Sequence, residues 1–127
     1  MSRPVVRSVK ATIEVECVGD RVGFRLWPWV AHVNETAGDE IEWMMVVKAG
    51  TVAEYDIVPG NSSTWPFPAM VGNGKGKGRP TVPLQSGKLR QGAANPTPYK
   101  YTVQFDCVPA GATTPVRVVI DPDVVVD

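Results

Sequence analysis

Histidine occurs once and cysteine twice in these 127 residues. A lone imidazole, His32, has no Ser, Cys or carboxylate constellation around it in the sequence, and catalysis by such groups needs one. Two cysteines are too few for a disulfide-dense scaffold. An excess of one charge is also lacking. The 13 basic and 13 acidic residues give a formal net charge of zero, so no overall field draws the chain to nucleic acid or to an anionic membrane. No stretch approaches the roughly 20 apolar residues of a membrane-spanning helix. Residues 1–16 contain no apolar signal-peptide core. With Met1 as the natural start the expected location is the cytoplasm, and a leader removed earlier would make it secreted or periplasmic. Helical periodicity, internal repeats, zinc spacing, nucleotide fingerprints and nucleophile elbows are all missing. The chain is therefore expected to be no enzyme and to carry no metal or cofactor.

What is present is turn-forming residues and period-2 alternation. Glycine and proline number 12 each, which suits many turns and few helices. In residues 11–17, Ile13, Val15 and Cys17 share one face while Thr12, Glu14 and Glu16 share the other, the mark of a half-buried strand. After the Gly19-Asp20 turn, Val22, Phe24 and Leu26 alternate with Arg21, Gly23 and Arg25 as a hairpin partner. Pro28 breaks this run and a strand resumes over 29–34. Residues 40–47 set Ile41, Trp43, Met45 and Val47 on one face, and the other face passes from Glu40 and Glu42 to Met44 and Val46. A short strand follows at 55–58. The clearest is 99–107, with Tyr99, Tyr101, Val103, Phe105 and Cys107 on one side. Strands at 116–120 and 124–126 close the chain. Short strands with turns between them indicate an all-β fold. The reading is one domain over 1–127, a single antiparallel Greek-key sandwich.

Between residues 60 and 98 the patterning mostly disappears, apart from a short strand expected at 81–84. This Pro/Gly-rich region contains Trp65-Pro66-Phe67-Pro68 and the basic run Gly72–Pro80. Large aromatics outside a core anchor interfaces, so Trp29, Trp65 and Phe67 are candidate interface residues. Lys75, Lys77 and Arg79 form an adaptable basic arm beside them. Alternating Gly and Lys can also present N–H and ammonium groups to phosphate, which makes Lys75, Lys77, Arg79, Lys88 and Arg90 a candidate weak polyanion site. The spacing is not that of a P-loop. Cys17 and Cys107 fall on inward faces near strand ends. Buried core thiols are the simpler reading in a cytosolic protein, and a disulfide is the alternative in a secreted one.

Three segments resemble the cupredoxin family, the sandwich of plastocyanin and azurin. The first is Pro28-Trp29-Val30 followed by Ala37-Gly38-Asp39-Glu40-Ile41-Glu42-Trp43. The second is Glu54-Tyr55-Asp56-Ile57-Val58, where the resemblance implies the family's first His ligand. The third is Tyr101–Cys107, then a loop, then Val116–Ile120, where it implies a ligand Cys, a loop with His and Met, and a closing strand. Cys107 stands at the thiolate position, but the loop 108–115 holds neither His nor Met. A blue-copper centre needs two imidazoles beside its thiolate, so a cupredoxin-like or immunoglobulin-like sandwich without copper is expected. The leading functional expectation is a protein-interaction module, a structural or accessory subunit of an assembly. Its partner would be another protein or its own copies, and nucleic acid is not an expected partner. A ligand, metal or redox module using Cys107 is the alternative from another class, and the polyanion binder is a third.

Overall fold

The computed structural model describes residues 8–34, 38–60, 65–67, 77–87, 89 and 98–126. Alternating side chains set its strands. In β1 (Ser8–Val18), Ala11, Ile13, Val15 and Cys17 are buried and the intervening polar residues face outward. The Gly19-Asp20 turn, with Gly19 at φ +60, reverses the chain into β2 (Arg21–Trp27), and β1 and β2 pair antiparallel from Val18↔Arg21 to Thr12↔Trp27. A cis Trp27–Pro28 peptide lies where the chain leaves this sheet for β3 (Val30–Val33) in the other. It then returns as β4 (Glu40–Ala49), with Ile41, Trp43 and Met45 buried.

The remaining strands are β5 (Tyr55–Pro59), β6 (Lys77–Gly78), β7 (Leu84–Gln85), β8 (Tyr99–Cys107), β9 (Val116–Ile120) and β10 (Asp123–Val126). The first sheet has the order β2-β1-β4-β7, and the second the order β3-β10-β8-β5-β6 with β9 also paired to β8. The molecule is an all-β sandwich, and its core comprises the inward residues of both sheets. Trp43 Nε1 donates to Tyr101 Oη across the core at 3.2 Å, with the two rings edge to face.

The pairing is mixed, not antiparallel throughout. β1 lies parallel to β4, with Ile13 beside Met45, and β3 lies parallel to β10, with Ala31 beside Val124. Side-chain alternation has the same period in both arrangements, so the sequence could not distinguish them. A second difference lies at the expected 81–84 strand. Thr81 takes φ 68 in a turn, and the strand falls on Leu84–Gln85 against β4. Most of the Pro/Gly-rich region between 60 and 98 is outside the described residues.

Cys17 ends the buried row of β1 and Cys107 ends that of β8. They form a disulfide between the sheets, with S–S 2.04 Å and Cα–Cα 6.4 Å, so the core-thiol reading gives way to the alternative. The sequence left both readings open because it could not place the two strand ends together. Gly50 makes room for the bridge. It takes φ +87, and a Cβ there would collide with Cys17 Sγ. Beside it, Thr51 and Val108 exchange backbone hydrogen bonds of 2.9 and 2.8 Å.

Candidate functional site

Three large aromatics are left in solvent around β2. Phe24 is 47% exposed, Trp27 67% and Trp29 43%. Phe24 pairs with Val15 and so belongs to the inner row of its sheet. Its exposure means that the opposite sheet does not fully cover edge strand β2. Trp27 pairs with Thr12 on the outer face, where Thr12, Glu14, Arg25 and Trp27 line a shallow depression of about 300 Å³. Beside it, Glu14, Glu16, Gly23, Phe24, Arg25 and Lys48 line another of about 210 Å³. Lys48 Nζ approaches Glu14 at 3.8 Å, so carboxylates and cations alternate on this face.

The other expected interface residues are placed differently. Trp65 and Phe67 are only 5% and 3% exposed. Their rings meet at a tilt with centroids 5.4 Å apart, and Trp65 meets Tyr101 edge to face at 6.0 Å. They close the core and do not anchor a surface. A Pro-flanked segment carries no alternation that would show it folding inward, which is why the sequence suggested exposure. Trp29 stays exposed, as expected. Phe24 and Gly23 were not singled out, although Arg-Gly-Phe-Arg in a strand was the available signal.

Lys77 lies on β6, which pairs with β5 through Asp56. Its ammonium donates to Asp56 at 2.8 Å and to Glu54 at 3.3 Å. The hydrogen bonds to Asp56 and then Glu54 hold Lys77 above its ordinary pKa. Nearby, Arg117 Nε donates to Asp106 at 2.7 Å. These groups surround a depression of about 330 Å³ over β5, β8 and β9. Three carboxylates outnumber two cations there, which is the wrong balance for a polyanion. Arg79 is exposed, and Lys75, Lys88 and Arg90 lie outside the described residues. Gly78 is packed beneath Tyr55, whose ring a Cβ at that position would strike. Burial pushes the Tyr55 phenol up to about 12.

No group of three or more His, Cys, Asp or Glu side chains suited to a metal occurs among the described residues. His32 is exposed on β3. Cys107 is bonded to Cys17 and fully buried, so the thiolate required of a ligand or redox site there does not exist in this state. Among the described residues, no helix is long and apolar enough to cross a membrane. The chain matches no protein-family model, and no curated protein matches its sequence.

Proposed function

We propose that this chain is a non-catalytic protein-interaction module, a structural or accessory subunit of a larger assembly. One observation carries the reading. Phe24, Trp27 and Trp29 are exposed on or next to edge strand β2, Phe24 on its inner face and Trp27 on its outer one, and aromatics of this kind dominate the energetics of protein interfaces. The ion pairs of the opposite sheet are surface pairs, each worth about 0–1 kcal/mol, and offer no comparable anchor.

The resemblance to a copper-free cupredoxin belongs to the same proposal. The segments that would bring the first His and the ligand Cys are neighbouring strands, with Tyr55 opposite Phe105. At the first-His segment stand Glu54, Tyr55 and Asp56, and Cys107 is held by Cys17. That bridge favours an oxidising compartment, because cytosolic reductants keep thiols reduced. Mass analysis of the natural protein, alkylated before and after reduction, checks this. Free thiols in material trapped directly from its source would return the chain to the cytoplasm.

Native mass by light scattering, on purified protein alone and with candidate partners from its source, tests the interaction reading. A discrete assembly or defined complex that is lost in Trp27→Ser and Trp29→Ser supports it. A strict monomer with no partner overturns it.

A further inference from the structure

Strand β2 carries a glycine that its own chain does not require. Gly23 has no positive φ, and a Cβ built on it would meet nothing closer than the Glu16 carbonyl oxygen at 3.9 Å. Glycine inside a strand weakens it and often marks the close approach of another backbone or ligand. The far side of β2 has no paired strand among the described residues. The hairpin closes with Val18 opposite Arg21 across a two-residue turn. Hydrogen-bonded pairs alternate from that point, so Arg21, Gly23, Arg25 and Trp27 turn their backbone groups toward β1. Val22, Phe24 and Leu26 turn theirs to the open edge.

We propose that this edge pairs antiparallel with β2 of a second copy, about a two-fold axis at Phe24, joining the two β2-edged sheets into one. The proposal rests on the interaction-module reading and names its partner. In this register Phe24 meets Phe24 of the second copy, and Val22 meets its Leu26. The three residues with open backbone groups therefore pair with one another, as a two-fold interface demands. Their side chains form an apolar row on the inner face, and the half-exposed Phe24 gains cover.

The outer face is self-complementary in the same register. Arg21 lies opposite Trp27 of the second copy, suited to a cation–π contact. Gly23 lies opposite Arg25 of the second copy, and Glu16 stands beside Gly23 on β1. The missing side chain at Gly23 lets that arginine reach between its own Glu14 and the facing Glu16. The neighbouring registers that keep both apolar rows inside fail. Sliding two residues one way sets Arg25 opposite Arg21, and sliding two the other way sets Arg25 opposite Arg25. Like charges directly opposite are destabilising. A one-residue slip turns the apolar row to the wrong face.

Sedimentation equilibrium over a wide concentration series, with backbone hydrogen exchange, tests the pairing. The wild-type chain should dimerise reversibly, with the Val22, Phe24 and Leu26 amides protected in the dimer. Gly23→Thr fills space that is free in a monomer, so its melting temperature measured at monomeric dilution should hold or rise. Its dimer should weaken roughly tenfold or more, with loss of that protection. Arg25→Glu should weaken the dimer similarly, and adding Glu16→Arg should restore part of it. If Gly23→Thr fails to fold, the charge pair carries the test. A dimer unchanged by Gly23→Thr and by Arg25→Glu overturns the proposal. A wild-type monomer that joins an assembly with other chains overturns the β2 pairing and leaves the interaction reading standing, whereas an inert monomer overturns both.

Discussion

The four tryptophans divide evenly between core and solvent. Trp43 and Trp65 are buried, and Trp27 and Trp29 are exposed. Trp65→Ala should lower stability by about 3–5 kcal/mol, the usual cost of truncating a buried aromatic. Trp29→Ala should change it by about 0.5 kcal/mol or less, because it removes only a partly exposed side chain. Urea denaturation of both variants separates the two roles, and equal losses would contradict this division. Trp43 was legible from the sequence because Ile41, Trp43 and Met45 alternate with Glu40, Glu42 and Met44. Trp65 was not, because Pro66 and Pro68, which follow Trp65 and Phe67, remove the periodic signal. Asp39 is a similar case. A Gly-Asp pair such as Gly38-Asp39 is a turn signal, but nothing in the sequence announced that the Asp39 carboxylate would be fully buried, accepting the Asn34 N–H at 2.9 Å.

At the level of elements, alternation located β1, β4 and β8 well, since each has one buried and one wetter face, and it located β2 although only Leu26 of its inner row is buried. It could not give partners or direction, and so left the parallel β1/β4 and β3/β10 pairs unseen. The two-residue β6 and β7 are too short to show a period at all. What places β7 is a local clamp. Ser86 Oγ accepts the Ile41 N–H at 2.8 Å and donates to the Gly87 carbonyl at 2.9 Å, while the Ser86 N–H donates to the Ile41 carbonyl. Ser86→Ala leaves the buried Ile41 N–H without its acceptor. The expected cost is about 1–3 kcal/mol, with faster exchange of the Ile41 amide in hydrogen-exchange mass spectrometry. Unchanged Ile41 protection would show that another acceptor takes over.

For the whole molecule the disulfide is the main covalent constraint. It spans a sequence separation of 90, and closing so long a loop restricts the unfolded chain strongly. Paired Cys17→Ala and Cys107→Ala should cost about 2–5 kcal/mol, read as a lower denaturation midpoint. Alkaline pH supplies a second global test. Burial raises the Tyr55 and Tyr101 phenols from 10.0 to about 12. Below pH 10 both folded and unfolded chains keep these protons, so their contribution is constant. Between about 10 and 12 the unfolded chain ionises first, and stability falls as pH rises. Denaturation midpoints measured through that window should decline, and Tyr55→Phe should make the decline shallower.

The parallel pairing of β3 with β10 also bears on how the chain is made. A ribosome delivers Val30–Val33 long before Asp123–Val126, yet β10 is the strand inserted between β3 and β8. Until it emerges, β3 has no sheet neighbour among the described residues, and its half of the sandwich stays incomplete. The hairpin of β1 and β2 can close early from local contacts, whereas the second sheet must wait on a distant one. A nascent chain stalled before residue 123 should therefore carry an unfinished, protease-sensitive sandwich with the β3 edge still open.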